Sequence, residues 1–257
     1  MKGVWILMTG RKRKSLGEQL YDELSRDIIH GRLAAGTNLL PERKLAEVRG
    51  LNRGAVREAM KRLAQMRLIR TVHGGGNRVE AWQQVAGLEL LPELLVKEGG
   101  LPDFDVLRSL LELRASLGVD AARLAALRAT QDQIVCLQGI IDDMRRRPND
   151  VEHQQEMVVR FWSALVQGSG NQIYLMAFNS LGQCWERYGA HLRHLLSDEL
   201  RATGEYQAIV SACQKRNPEL AAKHARHLVQ MASSQVEKTV ASFHQRQSIN
   251  NGDLFSS

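Results

Sequence analysis

Residues 52–66 read Asn-Arg-Gly-Ala-Val-Arg-Glu-Ala-Met-Lys-Arg-Leu-Ala-Gln-Met. Val56, Met60, Leu63 and Met66 recur at intervals of three and four, which lays an apolar stripe along one face of a helix. Arg53, Arg57 and Lys61 recur every four residues and form a second, basic stripe displaced from the first. Such a helix packs by one side and offers cations by another. Asn52 stands where an N-cap is needed, and the spacing predicts a helix over about 53–66. Gly54 and Ala55 keep the helix start bare of bulk, so its backbone can lie close to a partner.

Upstream, Leu20, Leu24 and Ile28 mark a helix over 17–31, punctuated by Gly31 and Gly36. Pro41-Glu42 opens a short second helix through about Val48, and Gly50 closes it. Downstream, Leu68–Val72, the tight run His73-Gly74-Gly75-Gly76-Asn77 and Arg78-Val79-Glu80 read as a β-hairpin. Three helices followed by a hairpin is the order of a winged helix-turn-helix. A major groove admits one helix, and arginine can read guanine O6 and N7 with two hydrogen bonds. Arg43, in the preceding helix, is placed to reach the same groove or its rim. The small hairpin tip suits a minor groove or a phosphate.

Charge separates the chain in the same way. In residues 1–80, 17 Lys and Arg face 8 Asp and Glu, whereas residues 81–257 carry a slight acidic excess. A basic head on a near-neutral body implies a polyanionic partner for the head alone. Cys136, Cys184 and Cys213 are odd in number, far apart and not in metal-type pairs, as expected of a reducing compartment. The apolar run Val4–Met8 is too short for a signal peptide or a membrane span, so a cytoplasmic protein with no membrane partner is expected. Met8 is an alternative start.

From about 104 to 240 the strand signal fades. Breakers at Pro148-Asn149, Gly168–Asn171, Ser197-Asp198 and Asn217-Pro218 divide long helical stretches into an all-α bundle of six or seven helices. The expected plan is mainly α: a basic arm (1–16), the winged helix-turn-helix (17–80), a connection (81–103), a helical effector-binding and dimerisation domain (104–240) and a flexible tail (241–257). No nucleophile elbow, P-loop or paired catalytic carboxylate stands out, which argues against an enzyme.

Glu42-Arg43-Lys44-Leu45-Ala46-Glu47, then Asn52 to Ala59, Leu63 and the His73-Gly74 wing, resemble the GntR family of winged-helix regulators. The resemblance implies double-stranded operator DNA as partner, with Arg43, Arg53 and Arg57 as the principal contacts. Asn52, Gly54 and Ala55 would lie at the start of the recognition helix, and His73 and Gly74 at the minor groove. The family usually has Ser or Thr at the position of Asn52, and Thr-Pro or Thr-Thr at Gly54-Ala55, so the bases read there should differ.

The body resembles the FadR subfamily, above all its fatty-acid-responsive branch. Ser169-Gly170-Asn171-Gln172-Ile173-Tyr174, Asn179, Arg187, Gly189, His191 and Leu111-Glu112-Leu113-Arg114 carry the likeness. It implies a homodimer whose DNA affinity falls when a small molecule binds in the bundle. Many relatives hold a divalent metal with one Asp and three His. The matching positions here are Val158, Trp162, Tyr206 and His227, and one imidazole alone cannot hold such an ion. No metal or other cofactor is therefore expected, although His191/His194 and His224/His227 lie at i, i+3 and leave a rearranged site open. The expected effector is a fatty acyl-CoA or fatty acid, contacted by Arg114, Trp185, Tyr206 and His227. Arg114 has a second possible role, as a salt bridge within the bundle. The last helix, at Arg226-His227-Leu228-Val229 to Ser233, lacks the Gly, Glu, Ser and Trp cluster of that branch. The alternatives are a metal-assisted repressor responsive to small carboxylates and an architectural DNA binder without effector.

Overall fold

Ser15 and Glu18 start the first helix by capping each other. The Glu18 amide donates to the Ser15 hydroxyl at 3.1 Å, and the Ser15 amide donates to the Glu18 carboxylate at 2.7 Å. The computed structural model describes residues 14–73, 76–97, 102–192 and 197–252. Helix α1 (Leu16–Ile29) buries Leu20, Leu24 and Ile28. Helix α2 (Glu42–Arg49) ends at Gly50, whose φ of 62° lies in the left-handed region that glycine enters without strain. Helix α3 (Arg53–Gln65) begins at Asn52, whose side-chain oxygen accepts the Ala55 amide at 2.8 Å. Val56, Ala59, Met60 and Leu63 turn into the core shared with α1, while Met66 sits half-buried at the helix end.

Strands β1 (Ile69–Val72) and β2 (Gly76–Val79) pair antiparallel, with Ile69 opposite Val79 and Val72 opposite Gly76. Residues 36–39 run along the other edge of β2. The Leu39 amide donates to the Asn77 carbonyl at 2.8 Å, and the Val79 amide to the Thr37 carbonyl at 2.9 Å. A turn at Gly36, φ 88°, brings the chain there, and it has no hydrophobic alternation to announce it.

The segment 81–103, expected as a connection, has structure of its own. It forms α4 (Trp82–Val85), a 3₁₀ turn (Leu88–Leu90) and α5 (Leu91–Leu94). Leu90 is buried in the same core as α1 and α3. The Tyr21 hydroxyl donates to Glu93 at 3.0 Å, and the Arg62 guanidinium lies 3.9 Å over the Tyr21 ring. The chain accordingly divides into two units, residues 1–103 and 104–257.

The second unit has seven helices among the described residues: α6 (Phe104–Arg128), α7 (Gln131–Arg146), α8 (Val151–Gly168), α9 (Gln172–Leu192), α10 (Ser197–Arg201), α11 (Thr203–Gln214) and α12 (Pro218–Gly252). Each early break is a capped start. Thr130 and Gln133 form a reciprocal box at α7, Asp150 caps α8, and the Asn171 side chain accepts the Ile173 and Tyr174 amides ahead of α9. Helix α12 lies along α6, and both helices place fully buried alanines in the same core, Ala122 and Ala125 on α6 and Ala221 and Ala225 on α12. Helix α12 continues to Gly252 and makes most of the expected tail helical, since no Gly or Pro interrupts 219–251. Among the described residues no helix is long and apolar enough to cross a membrane.

Helices α6 and α8 meet at Gly118. A Cβ built there would stand 2.9 Å from the Trp162 ring, which its own N–H bond to Glu199 holds in place. Gly118→Val should therefore lower stability by about 1–3 kcal/mol through overpacking. Gly139→Ala, with open space around it, should raise stability by about 1 kcal/mol from helix propensity. Urea unfolding of both variants measures the contrast.

Candidate functional site

On α3 the two stripes are physically separated. Val56, Met60 and Leu63 are buried, whereas Arg53, Gly54, Arg57 and Lys61 are exposed. Arg57 lies 3.6 Å from Glu42, and Arg43 lies 3.2 Å from Glu47 with its side chain 76% exposed. Ion pairs this exposed contribute little and are screened by salt, so both guanidiniums can change partner at small cost. Asn52 is exposed, with its oxygen engaged in the cap. Ala55 lies in the first turn of α3. Its methyl faces inward at 9% exposure, because it shares the helix face of Val56 and Ala59, and only its backbone belongs to the helix start. His73 is exposed in the turn after β1, and Gly74 lies outside the described residues.

In the second unit a cavity of about 70 Å³ opens between α6, α8 and α9, with parts of α10 and α12 in its wall. Leu107, Leu111, Val158, Phe178, Leu181 and Trp185 make most of that wall apolar, and Cys184 adds a thiol that burial pushes up to about 11, so it stays protonated. One side is charged. Arg114 donates through Nη1 to Glu199 Oε2 at 2.8 Å and through Nη2 to Oε1. The Trp162 Nε1–H donates to the same Oε1 at 3.1 Å, and the Tyr206 hydroxyl at 2.9 Å. Burial opposes the Arg114 charge, but the charge and hydrogen bonds of Glu199 outweigh it and raise its pKa. Burial, then the Glu199 charge, holds the Tyr206 hydroxyl well above its ordinary range, so it remains a donor.

Arg114 and Trp185 thus reach the cavity, and Tyr206 supports it from behind Glu199. His227 does not. Leu228 and Val229 take the inward face of α12, and this leaves His227 exposed with its Nδ1 3.0 Å from Glu205, beside His224 at 2.7 Å from the same carboxylate. Burial alone would raise the Glu205 pKa, but its two histidine partners bring it below the ordinary value. Glu199 is the cavity-wall residue that sequence reading missed, since a five-residue helix carries no periodicity to mark an inward acid.

The four positions that would hold a metal do not fit one. Val158 offers no donor, the Trp162 N–H and Tyr206 hydroxyl are committed to Glu199, and His227 is on another face. Among the described residues no three His, Cys, Asp or Glu side chains are grouped to bind an ion. His194 and the side chain of His191 lie outside the described residues.

Comparison with known proteins agrees with this geometry. The sequence profile of bacterial regulatory proteins of the gntR family matches residues 16–79, and that of the FCD domain matches residues 109–231. The Glc operon transcriptional activator of Escherichia coli K12 is 30% identical over 176 residues, covering 66% of this chain and 67% of that protein. The chain belongs to the GntR family. Mce2R of Mycobacterium tuberculosis, an HTH-type transcriptional regulator, is 29% identical over 235 residues, 91% of this chain and 97% of its own. The fatty acid metabolism regulator protein of Klebsiella pneumoniae is 26% identical over 190 residues, 73% and 76% respectively. This GntR-family chain is therefore a helix-turn-helix transcription regulator with an FCD effector-binding domain.

The buried pair sets a test of its own. Arg114→Met leaves the Glu199 carboxylate, 1% exposed, without a counter-charge, and should cost about 3–5 kcal/mol. Adding Glu199→Gln, which keeps an acceptor for Trp162 and Tyr206, should recover most of that loss. Chemical denaturation of the single and double variants compares them.

Proposed function

We propose that the protein is a homodimeric, cytoplasmic regulator that binds a palindromic operator and releases it when an acyl ligand enters the helical domain. The observation that carries the DNA half is the division of α3 into a buried apolar stripe and an exposed stripe of Arg53, Arg57 and Lys61. The helix lies in the major groove, where Arg53 and Arg57 read base edges. Arg43 reaches the groove rim, and the Asn52 amide and the backbone at Gly54 and Ala55 approach phosphates. His73 and Gly74 meet the minor groove. Two protomers set the half-site spacing.

For the effector, a fatty acid or fatty acyl-CoA, the apolar wall of the cavity is the supporting observation. The relative named for fatty acid metabolism agrees with it. Small carboxylates bridged by a metal are disfavoured by the donor set at Val158, Trp162 and Tyr206. A cavity of about 70 Å³ is well below the several hundred that enclose a drug-sized ligand, so an acyl ligand has to widen it. That widening gives binding a structural consequence, and a coupling of about 1–3 kcal/mol to the DNA-bound state suffices for control.

Arg53→Ala and Arg57→Ala should each weaken binding to an operator selected from a randomised duplex pool by roughly ten- to a hundredfold. Thermal unfolding and sedimentation should be unchanged. Wild-type affinity in either variant removes that residue from the interface. In a thermal-shift panel of fatty acyl-CoAs, fatty acids, small carboxylates and divalent metals, acyl compounds should stabilise the protein. No stabiliser in the panel would leave an architectural DNA binder as the better reading.

A further inference from the structure

Three helices other than its own are arranged to receive the carboxylate of Glu199. Arg114 on α6 supplies two N–H donors, Trp162 on α8 its indole N–H and Tyr206 on α11 its hydroxyl. These donors ride on helices of 25, 18 and 12 residues, whereas the acceptor rides on α10, a helix of five. The receiving groups are held by long, well-packed elements and the group received by a short one. Arg114, Trp162 and Glu199 are also part of the cavity wall, so the charged cluster is continuous with the apolar chamber.

We infer that Arg114, Trp162 and Tyr206 form a carboxylate receptor filled by the protein's own Glu199, and that the effector is a monocarboxylate with an apolar tail that exchanges with it. This rests on the acyl reading of the cavity and specifies the chemistry of the ligand's head. Charge bookkeeping requires exchange rather than addition. Arg114 and Glu199 together are neutral, and a second buried carboxylate would be left without a counter-charge. An anionic head takes the three donors as Glu199 swings toward water, while its tail fills the chamber beside Leu111, Phe178 and Leu181. Leu200, adjacent to Glu199 and 2% exposed, moves with it and shifts α10 against α8 and α12. A neutral ester or alcohol fills the chamber without disturbing the pair.

The test compares octanoate, octanol, methyl octanoate and octanoyl-CoA on the full-length protein by calorimetry and thermal shift at matched ionic strength. Glu199→Ala should bind octanoate at least tenfold more tightly than wild type, because the internal competitor is gone. Acetate should restore part of its lost thermal stability, and octanol should not. Glu199→Gln, which preserves volume and leaves Arg114 uncompensated, should show the same preference if the alanine variant does not fold. Arg114→Met combined with Glu199→Gln should bind octanoate no better than octanol. Equal octanoate affinity in wild type and the Glu199 variants, or a carboxylate preference that survives loss of Arg114, overturns the exchange. If methyl octanoate or octanoyl-CoA still binds in that case, the acyl reading of the cavity stands without it. If no octanoyl compound binds any variant, both fall.

Discussion

A single buried carboxylate organises the second unit. Glu199, 1% exposed, has to be neutralised and hydrogen-bonded where it lies. Arg114, Trp162 and Tyr206 meet that requirement from α6, α8 and α11, so the need of one charge ties four helices to a common point. The pair gives no assurance of extra stability, because desolvation offsets most of its attraction. It gives position. With Glu199 in place, α10 is held against α8 and α12, Trp162 is held against Gly118, and the polar side of the cavity is closed by groups that already satisfy one another.

The first unit follows the opposite rule. Arg43–Glu47 and Arg57–Glu42 are surface pairs with the arginine side chains 76% and 64% exposed. Water and salt screen them, so they hold their cations ready rather than fixed. Their positions come from the apolar stripe beneath, where Val56 and Leu63 are fully buried. One chain thus uses the same chemistry twice, and the dielectric environment decides which pairs are screened by water and which is held by its buried surroundings.

Most of the first unit was legible in the sequence, because caps and periods are local. Asn52 and Gly50 act within a few residues of themselves, and the helices begin and end within two residues of the positions their neighbours imply. The second strand, read as Arg78–Glu80, begins earlier, at Gly76. The edge pairing of residues 36–39 with β2 was not legible, since its partner lies some forty residues away. Neither was the docking of Leu90 and Glu93 onto α1 and Arg62, which turns an expected connection into part of the head's core. Ala55 stands at the helix start with its methyl on the inward face.

In the second unit the sequence marked four of the breaks between helices, an apolar interior and the missing metal donors at the positions the resemblance points to, because each depends on residue type at a given position. The breaks before α7 and α11 carried no such mark. Tertiary structure alone decided what replaces those donors. Glu199 meets Arg114 across 85 positions of chain, and His227 leaves the cavity because Leu228 and Val229 win the buried face of α12. Sequence spacing reports which side chains share a helix face. Which face is buried, and which charge it meets there, depends on how separate helices pack, and that information is not local to any stretch of the chain.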